Sequence, residues 1–387
     1  MHGGNLLEAM ERYGKNSFID LSANINPFGP PKGVWKAMTS AMPKIVHYPD
    51  PEYRRLRKGL AQNFDVSEDW ILLGNGAGEL LFSILQALRP KKVLIPVPSF
   101  SEYERAARAC GAGITTLPLG VEGWNNPSFK LEYELEAGAD SKEAVSTIQN
   151  EKNVLFWKEK FRESDLFFLN SPHNPTGSSL ERCQFERILS LAKEMGTWVI
   201  LDESFVDFLE EEHRWSGREY LRDYPNLIVL YSMTKFYALP GLRLGAVFAT
   251  PKILNQVKEH RDPWAVNILA EEAGIVALED QEYPDRVRRL LRESKDYFFN
   301  SFDQAKLTHF LLLPSSVNFA LIKILKGQSK NIVKELGKQG ILVRDCGSFQ
   351  GLEGEFIRVA IKDIPSMQAL INGILALSPM KDHRAKG

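Results

Sequence analysis

Cysteine is scarce in this chain: Cys110, Cys183 and Cys346 are the only three in 387 residues. Their odd number and wide spacing leave no disulfide framework and no readable metal-ligand pattern, which fits a reducing cytosol. An excess of charge is also missing, since 48 Lys and Arg stand against 49 Asp and Glu, for a net charge of −1. That balance gives no electrostatic case for nucleic acid or a membrane surface as partner. No apolar run approaches the ~20 residues that span a bilayer. The start Met1-His2-Gly3-Gly4-Asn5 does not read as a signal peptide. Internal repeats and low-complexity tracts are absent too. What remains is an ordinary globular composition, 44% apolar and 25% charged, at a length that suits two or three lobes.

The stretch to about Pro43 reads as loop-rich, because Asn24, Asn26, Pro27, Gly29, Pro30 and Pro31 force an extended path. Short apolar runs then alternate with helical patterns from Leu72 to about Leu313. Val93–Val97, Leu166–Leu169, Trp198–Leu201 and Leu227–Tyr231 lack period-2 alternation, as parallel strands covered on both faces do. With helix-like pieces such as Leu180–Met195 between them, they predict a doubly wound α/β domain. After Pro314, strand-like Asn318–Ile324, helix-like Ser329–Gly337 and strand-like Phe356–Ala360 predict a smaller α+β domain. The expected division is an N-terminal arm at 1–43, partly joined to the small domain, a large domain at 44–290 and a small domain at 291–387. Residues Gly123–Ser164 are polar and longer than one connection needs, which predicts a surface insertion with a partly helical core. The polar end Lys381–Gly387 is expected to fray.

Reactive and anion-holding groups concentrate in Ser232-Met233-Thr234-Lys235-Phe236-Tyr237-Ala238-Leu239-Pro240-Gly241-Leu242-Arg243-Leu244-Gly245. Lys235 sits beside small hydroxyls, and Arg243 follows 243 − 235 = 8 positions later in a glycine-flanked turn. Hydroxyls and a guanidinium suit a phosphate, and the positive field favours a neutral amine. Such an amine is fitted to form a Schiff base with a phosphorylated aldehyde cofactor, which points to pyridoxal 5′-phosphate (PLP).

That cofactor makes four further demands. A carboxylate must face the pyridine nitrogen, and Asp202 ends the Trp198–Leu201 strand where open α/β sheets place ligand contacts. A donor must meet the phenolic oxygen, and Asn174 is held between two prolines in Pro172-His173-Asn174-Pro175-Thr176-Gly177. Backbone N–H groups at a helix start must hold the phosphate. Gly74-Asn75-Gly76-Ala77-Gly78-Glu79 lies between the strand Ile71–Leu73 and the helix Leu80–Leu88, and its spacing is not that of a dinucleotide-binding loop. An aromatic residue must cover the ring, and Phe100 is the choice, with Tyr103 as substitute. Taken singly, Asp202 reads as a helix cap and Phe100 as core. Their joint presence with Lys235 favours the site.

Together these motifs resemble the fold-type I PLP enzymes of the class I/II aminotransferase family, from His2 to about Leu377. Within it, the likeness leans to the branch that decarboxylates O-phospho-L-threonine for cobalamin biosynthesis, a sibling of the histidinol-phosphate aminotransferases. His2-Gly3-Gly4-Asn5 with Ser22-Ala23-Asn24-Ile25-Asn26-Pro27 resembles a substrate lid of that branch. Thr234–Arg243 resembles its lysine segment. Asp202-Glu203-Ser204-Phe205 carries phenylalanine where aminotransferases usually carry a tyrosine. The resemblance implies a large mixed-sheet domain, a small α+β domain and a cytoplasmic homodimer. It implies Lys235 as the Schiff-base lysine, Asp202 on the pyridine nitrogen and Asn174 on the phenolic oxygen. Gly76, Ala77, Ser232 and Arg243 would hold the cofactor phosphate, with Tyr48 reaching it in the neighbouring subunit. Arg358 would take the substrate carboxylate, while His2, Gly3, Asn24, Asn174 and Arg344 contact the substrate, Arg344 at its phosphate. The implied product is (R)-1-aminopropan-2-yl phosphate. The alternatives are O-phospho-L-serine as substrate, giving ethanolamine phosphate; histidinol-phosphate transamination; and a PLP-binding protein without turnover.

Overall fold

The strand Leu227–Ser232 is buried at every residue. Its side chains divide by parity: Leu227, Val229 and Tyr231 face one hydrophobic core, Ile228 and Leu230 the other. This is the pattern of a central strand with helices on both faces. The computed structural model, which describes residues 3–118, 154–352 and 354–377, places that strand inside a seven-stranded sheet. The order is Ile71–Gly74, Gly245–Phe248, Leu227–Ser232, Trp198–Asp202, Leu166–Asn170, Lys92–Val97 and Gly113–Pro118. Gly245–Phe248 runs antiparallel to both neighbours, and the remaining pairs are parallel. The expected α/β domain is therefore present with a mixed sheet. Register aligns Asn170 with Asp202 and Asp202 with Leu230, so neighbouring strands end together along one edge.

A second, four-stranded antiparallel sheet has the order Arg344–Asp345, Phe356–Ala360, Phe319–Ile324 and Phe310–Leu312. Its register sets Arg344 directly opposite Arg358. The N-terminal segment joins this part of the molecule: Ile19–Asp20 pairs in parallel with Ile341–Leu342. Ala360 N donates to Leu21 O at 2.8 Å. Among the described residues, no helix is long and apolar enough to cross a membrane.

Three sequence expectations change. The N-terminal stretch is not only loop, because helices form at Leu6–Tyr13 and Gly33–Ala41. The first is capped by Asn5, whose side chain accepts from Glu8 N, and closed by Gly14 in the left-handed region at φ +62°. The phosphate-loop helix begins at Gly76 rather than Leu80. Of the segment expected as a surface insertion, residues 123–153 lie outside the described residues, as do His2 and 381–387. Residues 154–162 form a helix that buries Trp157 and Phe161. Their rings pack on Phe167 of a central strand at centroid distances of 5.7 and 5.3 Å. Aromatic side chains spaced one turn apart override the polar composition around them.

Phe161 has no exposed surface. Phe161→Ala is expected to lower unfolding stability by about 3–5 kcal/mol, the usual cost of emptying a buried phenylalanine site. A urea midpoint equal to that of the native protein would show that this helix is peripheral.

Candidate active site

Lys235 lies in the four-residue helix Met233–Phe236 that follows the central strand Leu227–Ser232. Ser232 caps this helix: its hydroxyl accepts from Thr234 N at 3.4 Å and pairs with Thr234 Oγ1 at 2.8 Å. Burial, then the positive charges of Arg358 and Arg243, pull the Lys235 amine down to about 8, with Asp202 opposing them. A desolvated amine next to two guanidiniums is one that exchanges protons near neutrality.

Arg243 reaches the phosphate-loop turn. Its backbone is left-handed at φ +57°. A Cβ at Gly76, which has φ +79°, would stand 2.6 Å from Arg243 Nη2. A Cβ at Gly245 would stand 2.5 Å from Ala77 N. Only glycines allow the guanidinium and the first turn of the 13-residue helix Gly76–Leu88 to approach this closely. Helix N–H groups, a guanidinium and the Ser232 and Thr234 hydroxyls form a donor set suited to a phosphate dianion.

Asp202 is buried at 5% exposure. It accepts from Tyr103 Oη at 2.6 Å and from Ser204 N at 2.9 Å. Burial and the Asp202 charge hold the Tyr103 hydroxyl well above its ordinary value, so it remains a donor. The Tyr103 ring stacks on Phe168 at 4.8 Å and 10°. Tyr103 thus orients the carboxylate, a role that nothing in its sequence context signalled. Phe100 stands edge-on to it at 5.7 Å.

Asn174 is fixed by its backbone N–H donating to Asn170 Oδ1 at 2.7 Å. Its Oδ1 accepts from Arg358 Nη1 at 2.5 Å, which leaves Nδ2 free to donate elsewhere. Arg358 also donates through Nη2 to Ser22 O at 3.2 Å, while its Nε has no partner. Burial, with Arg344 adding to it, brings the Arg358 guanidinium down to about 10. Arg344 contacts Ser348 Oγ at 3.3 Å, and burial lowers it as well. Neither arginine has a salt bridge among the described residues. Asn24 is buried with Oδ1 unpaired. The Gly3 backbone presses on Ser22, where a Cβ would stand 2.1 Å from Ser22 O. Arg358, Asn174, Ser22 and Gly3 are therefore linked by contact. Tyr48 is 78% exposed, with its ring 4.6 Å from that of Trp264.

Comparison with known proteins places these features in a lineage. The family described as aminotransferase class I and II matches residues 16–374. The threonine-phosphate decarboxylase of Salmonella typhimurium is 33% identical over 96% of this chain and 94% of its own length. The histidinol-phosphate aminotransferase of Symbiobacterium thermophilum is 32% identical, over 89% of this chain and 87% of its own. The crystal structure of the L-threonine-O-3-phosphate decarboxylase from Porphyromonas gingivalis superposes with a TM-score of 0.75 at 26% identity. That match covers 92% of this chain and 98% of the other. With the sheet, the lysine turn and the cradle around Gly76 already in place, the chain belongs to the class I and II aminotransferase family.

Proposed function

We propose that this chain is a PLP-dependent decarboxylase that converts O-phospho-L-threonine to (R)-1-aminopropan-2-yl phosphate and CO₂, for corrinoid biosynthesis. The observation that carries this reading is the cross-strand pair Arg344 and Arg358. Directly opposed residues of an antiparallel pair share a face, and like charges placed so are unfavourable. An occupant with two anionic groups relieves that cost. O-phospho-L-threonine offers a carboxylate and a phosphate. Histidinol phosphate offers a phosphate alone, while the glutamate and 2-oxoglutarate of a transaminase offer two carboxylates. The pair therefore supports a doubly anionic substrate, and the product assay below separates the two reactions.

The residues present fit PLP. Gly76, Ala77, Ser232 and Arg243 form its phosphate cradle, and Lys235 Nζ is the amine for its aldehyde. Asp202, oriented by Tyr103, would face the ring nitrogen, Asn174 Nδ2 the phenolic oxygen, and Phe100 the ring. Bound PLP supplies a conjugated ring that accepts the electron pair left when a Cα bond breaks. Arg358 holds the substrate carboxylate and Arg344 its phosphate, with Asn24, Gly3 and His2 as further substrate contacts. Lys235, at about 8, can hold or release a proton at Nζ close to the reacting carbon. The reading includes a cytoplasmic homodimer in which Tyr48 serves the neighbouring subunit. Exposed Trp35, Met42, Ile45, Val46 and Trp264 supply apolar surface for a second copy.

Incubation with O-phospho-L-threonine is expected to release CO₂ without a 2-oxo product. Glutamate formed from 2-oxoglutarate in the presence of histidinol phosphate would instead establish the transaminase. O-phospho-L-serine lacks one methyl, worth about 1–3 kcal/mol in a hydrophobic contact. Its kcat/KM is expected to be lower, and a preference for it would move the substrate while keeping the chemistry.

Arg344→Ala is expected to weaken binding of phosphorylated substrates by about 2–4 kcal/mol, through loss of a charge-assisted contact. An unchanged KM would return Arg344 to a structural role.

Lys235→Met should remove the lysine-dependent visible absorption given by PLP and abolish turnover. It also carries a stability sign. The native amine is lowered to about 8 from an unfolded value of about 10.5, so the unfolded chain binds more protons between those values. The contribution of Lys235 to stability is thus fully present above about 10.5 and lost as pH falls through 8. Cofactor-free Lys235→Met is expected to melt higher than cofactor-free native protein at pH 6–7, with the gap narrowing from pH 8 upward. Parallel melting curves across that range would refute the assigned burial of the amine.

A further inference from the structure

Asn26 lies two residues beyond Asn24 and belongs to no substrate-contacting group, yet it is 3% exposed, and its backbone N–H and both side-chain polar atoms are engaged. Its backbone N–H donates to Lys235 O at 3.1 Å. Its side-chain Nδ2 donates to Phe236 O at 2.7 Å and to Tyr283 Oη at 2.9 Å. Phe28 N donates to Oδ1 at 3.0 Å, which fixes the orientation of the amide. Tyr283 Oη lies 3.1 Å from Phe236 O and 2.7 Å from Gly29 O, and its ring stacks on Tyr237 at 5.7 Å and 13°. The last carbonyls of the lysine helix are thus held by the N-terminal segment, a chain distance of more than 200 residues away.

A four-residue helix has little cohesion of its own, since nucleation fixes several dihedrals for one hydrogen bond. Its terminal carbonyls need outside donors. The same N-terminal segment supplies Ser22 O to Arg358 Nη2. One stretch of chain, Ser22–Asn26, therefore sets both the helix that carries the amine and the guanidinium proposed for the substrate carboxylate.

We infer that Asn26 is a positioning residue: with Tyr283, it clamps the C-terminal end of the lysine helix and fixes where Lys235 Nζ stands relative to Arg358. The inference rests on the PLP reading of Lys235 and not on the choice of substrate. Releasing the clamp gives the lysine nitrogen more water and more distance from Arg358 and Arg243. Those two cations and burial favour its neutral form, and Asp202 alone opposes them. Release therefore favours the protonated form.

The test uses PLP-loaded Asn26→Ala and Tyr283→Phe, neither of which introduces charge. Four quantities are measured: the pH midpoint of the lysine-dependent visible band without substrate, kcat, KM and the melting temperature. In Asn26→Ala the midpoint is expected to rise by about 0.5 pH unit or more. Its kcat is expected to fall about tenfold or more, with KM within about threefold. Tyr283→Phe keeps the ring stack and the Asn26–Phe236 bond, so it should move the midpoint the same way by less. A lower melting temperature with unchanged midpoint and kcat in Asn26→Ala would reduce Asn26 to a structural residue and overturn the inference. Should Asn26→Ala fail to fold, an unmoved midpoint in Tyr283→Phe overturns it. If O-phospho-L-threonine proves inert while the midpoint still shifts, the substrate reading fails and the clamp stands. If PLP gives no lysine-dependent band, both fall.

Discussion

The cost of gathering like charges in a partly buried space governs this molecule. Lys235, Arg243, Arg344 and Arg358 are drawn towards one another, while Asp202 is the carboxylate that Lys235 feels. Burial penalises Lys235, Arg344 and Arg358, and neighbouring cations add to it for Lys235 and Arg358. The chain answers in two ways. It lets the lysine and Arg358 titrate downward, and it leaves donor atoms such as Arg358 Nε unpaired. Both answers suit a space meant to be filled by anionic groups. A site of this kind is balanced when occupied and strained when empty, so ligand binding should contribute strongly to its stability.

The fold keeps that arrangement in place with backbone, not with flexible side chains. Parallel strands end together, so Asp202 and Ser232 come to one edge of the sheet and the loop after Asn170 brings Asn174. The reversed strand Gly245–Phe248 runs between Ile71–Gly74 and Leu227–Ser232. It thereby carries Arg243, just before it, onto the first turn of the helix at Gly76. The small sheet contributes its arginines by register, which rotamer changes cannot alter. The N-terminal segment then crosses between the two parts, tied to Leu342 O and Ala360 N on one side and to Lys235 O on the other.

Much of this was legible in the sequence, and the reason is local. Fully buried parallel strands must be continuous apolar runs, so Leu166–Asn170, Trp198–Asp202 and Leu227–Ser232 announced themselves to within a residue. Gly113–Pro118 did not, because an edge strand with alternating exposure has weak apolar content. Gly245–Phe248 is too short to stand out beside the motif it follows. Lys235, Asp202, Asn174 and Arg243 stood out in the sequence because the proposed chemistry demands particular groups near strand ends. Tyr103 on Asp202 and Asn26 on the lysine helix were not. Those contacts join residues 99 and about 210 positions apart, and no local spacing encodes such a pairing. Residues 154–162 misled for the opposite reason, since polar surroundings hid two core aromatics.

The choice between breaking Cα–carboxylate and breaking Cα–H is a matter of torsion. The bond that breaks must stand perpendicular to the conjugated ring, and an arginine on the carboxylate serves either outcome. In the proposed reaction the second anchor decides it. A phosphate held by Arg344, directly opposite Arg358 on the neighbouring strand, leaves the substrate little freedom to rotate about Cα, so remote binding energy can align the carboxylate. Phe205 lies in the layer beneath this anchor. It is buried and packs edge-on against Phe319 at 4.9 Å, and Phe319 in turn lies under the Arg358 guanidinium at 5.4 Å. Where related aminotransferases usually offer a tyrosine hydroxyl, this chain offers an apolar ring that packs on Phe319 below Arg358, the arginine proposed for the substrate carboxylate. In the proposed reading, Phe205 therefore brings no hydroxyl to the cofactor's phenolic oxygen and instead lies in the apolar layer beneath Arg358.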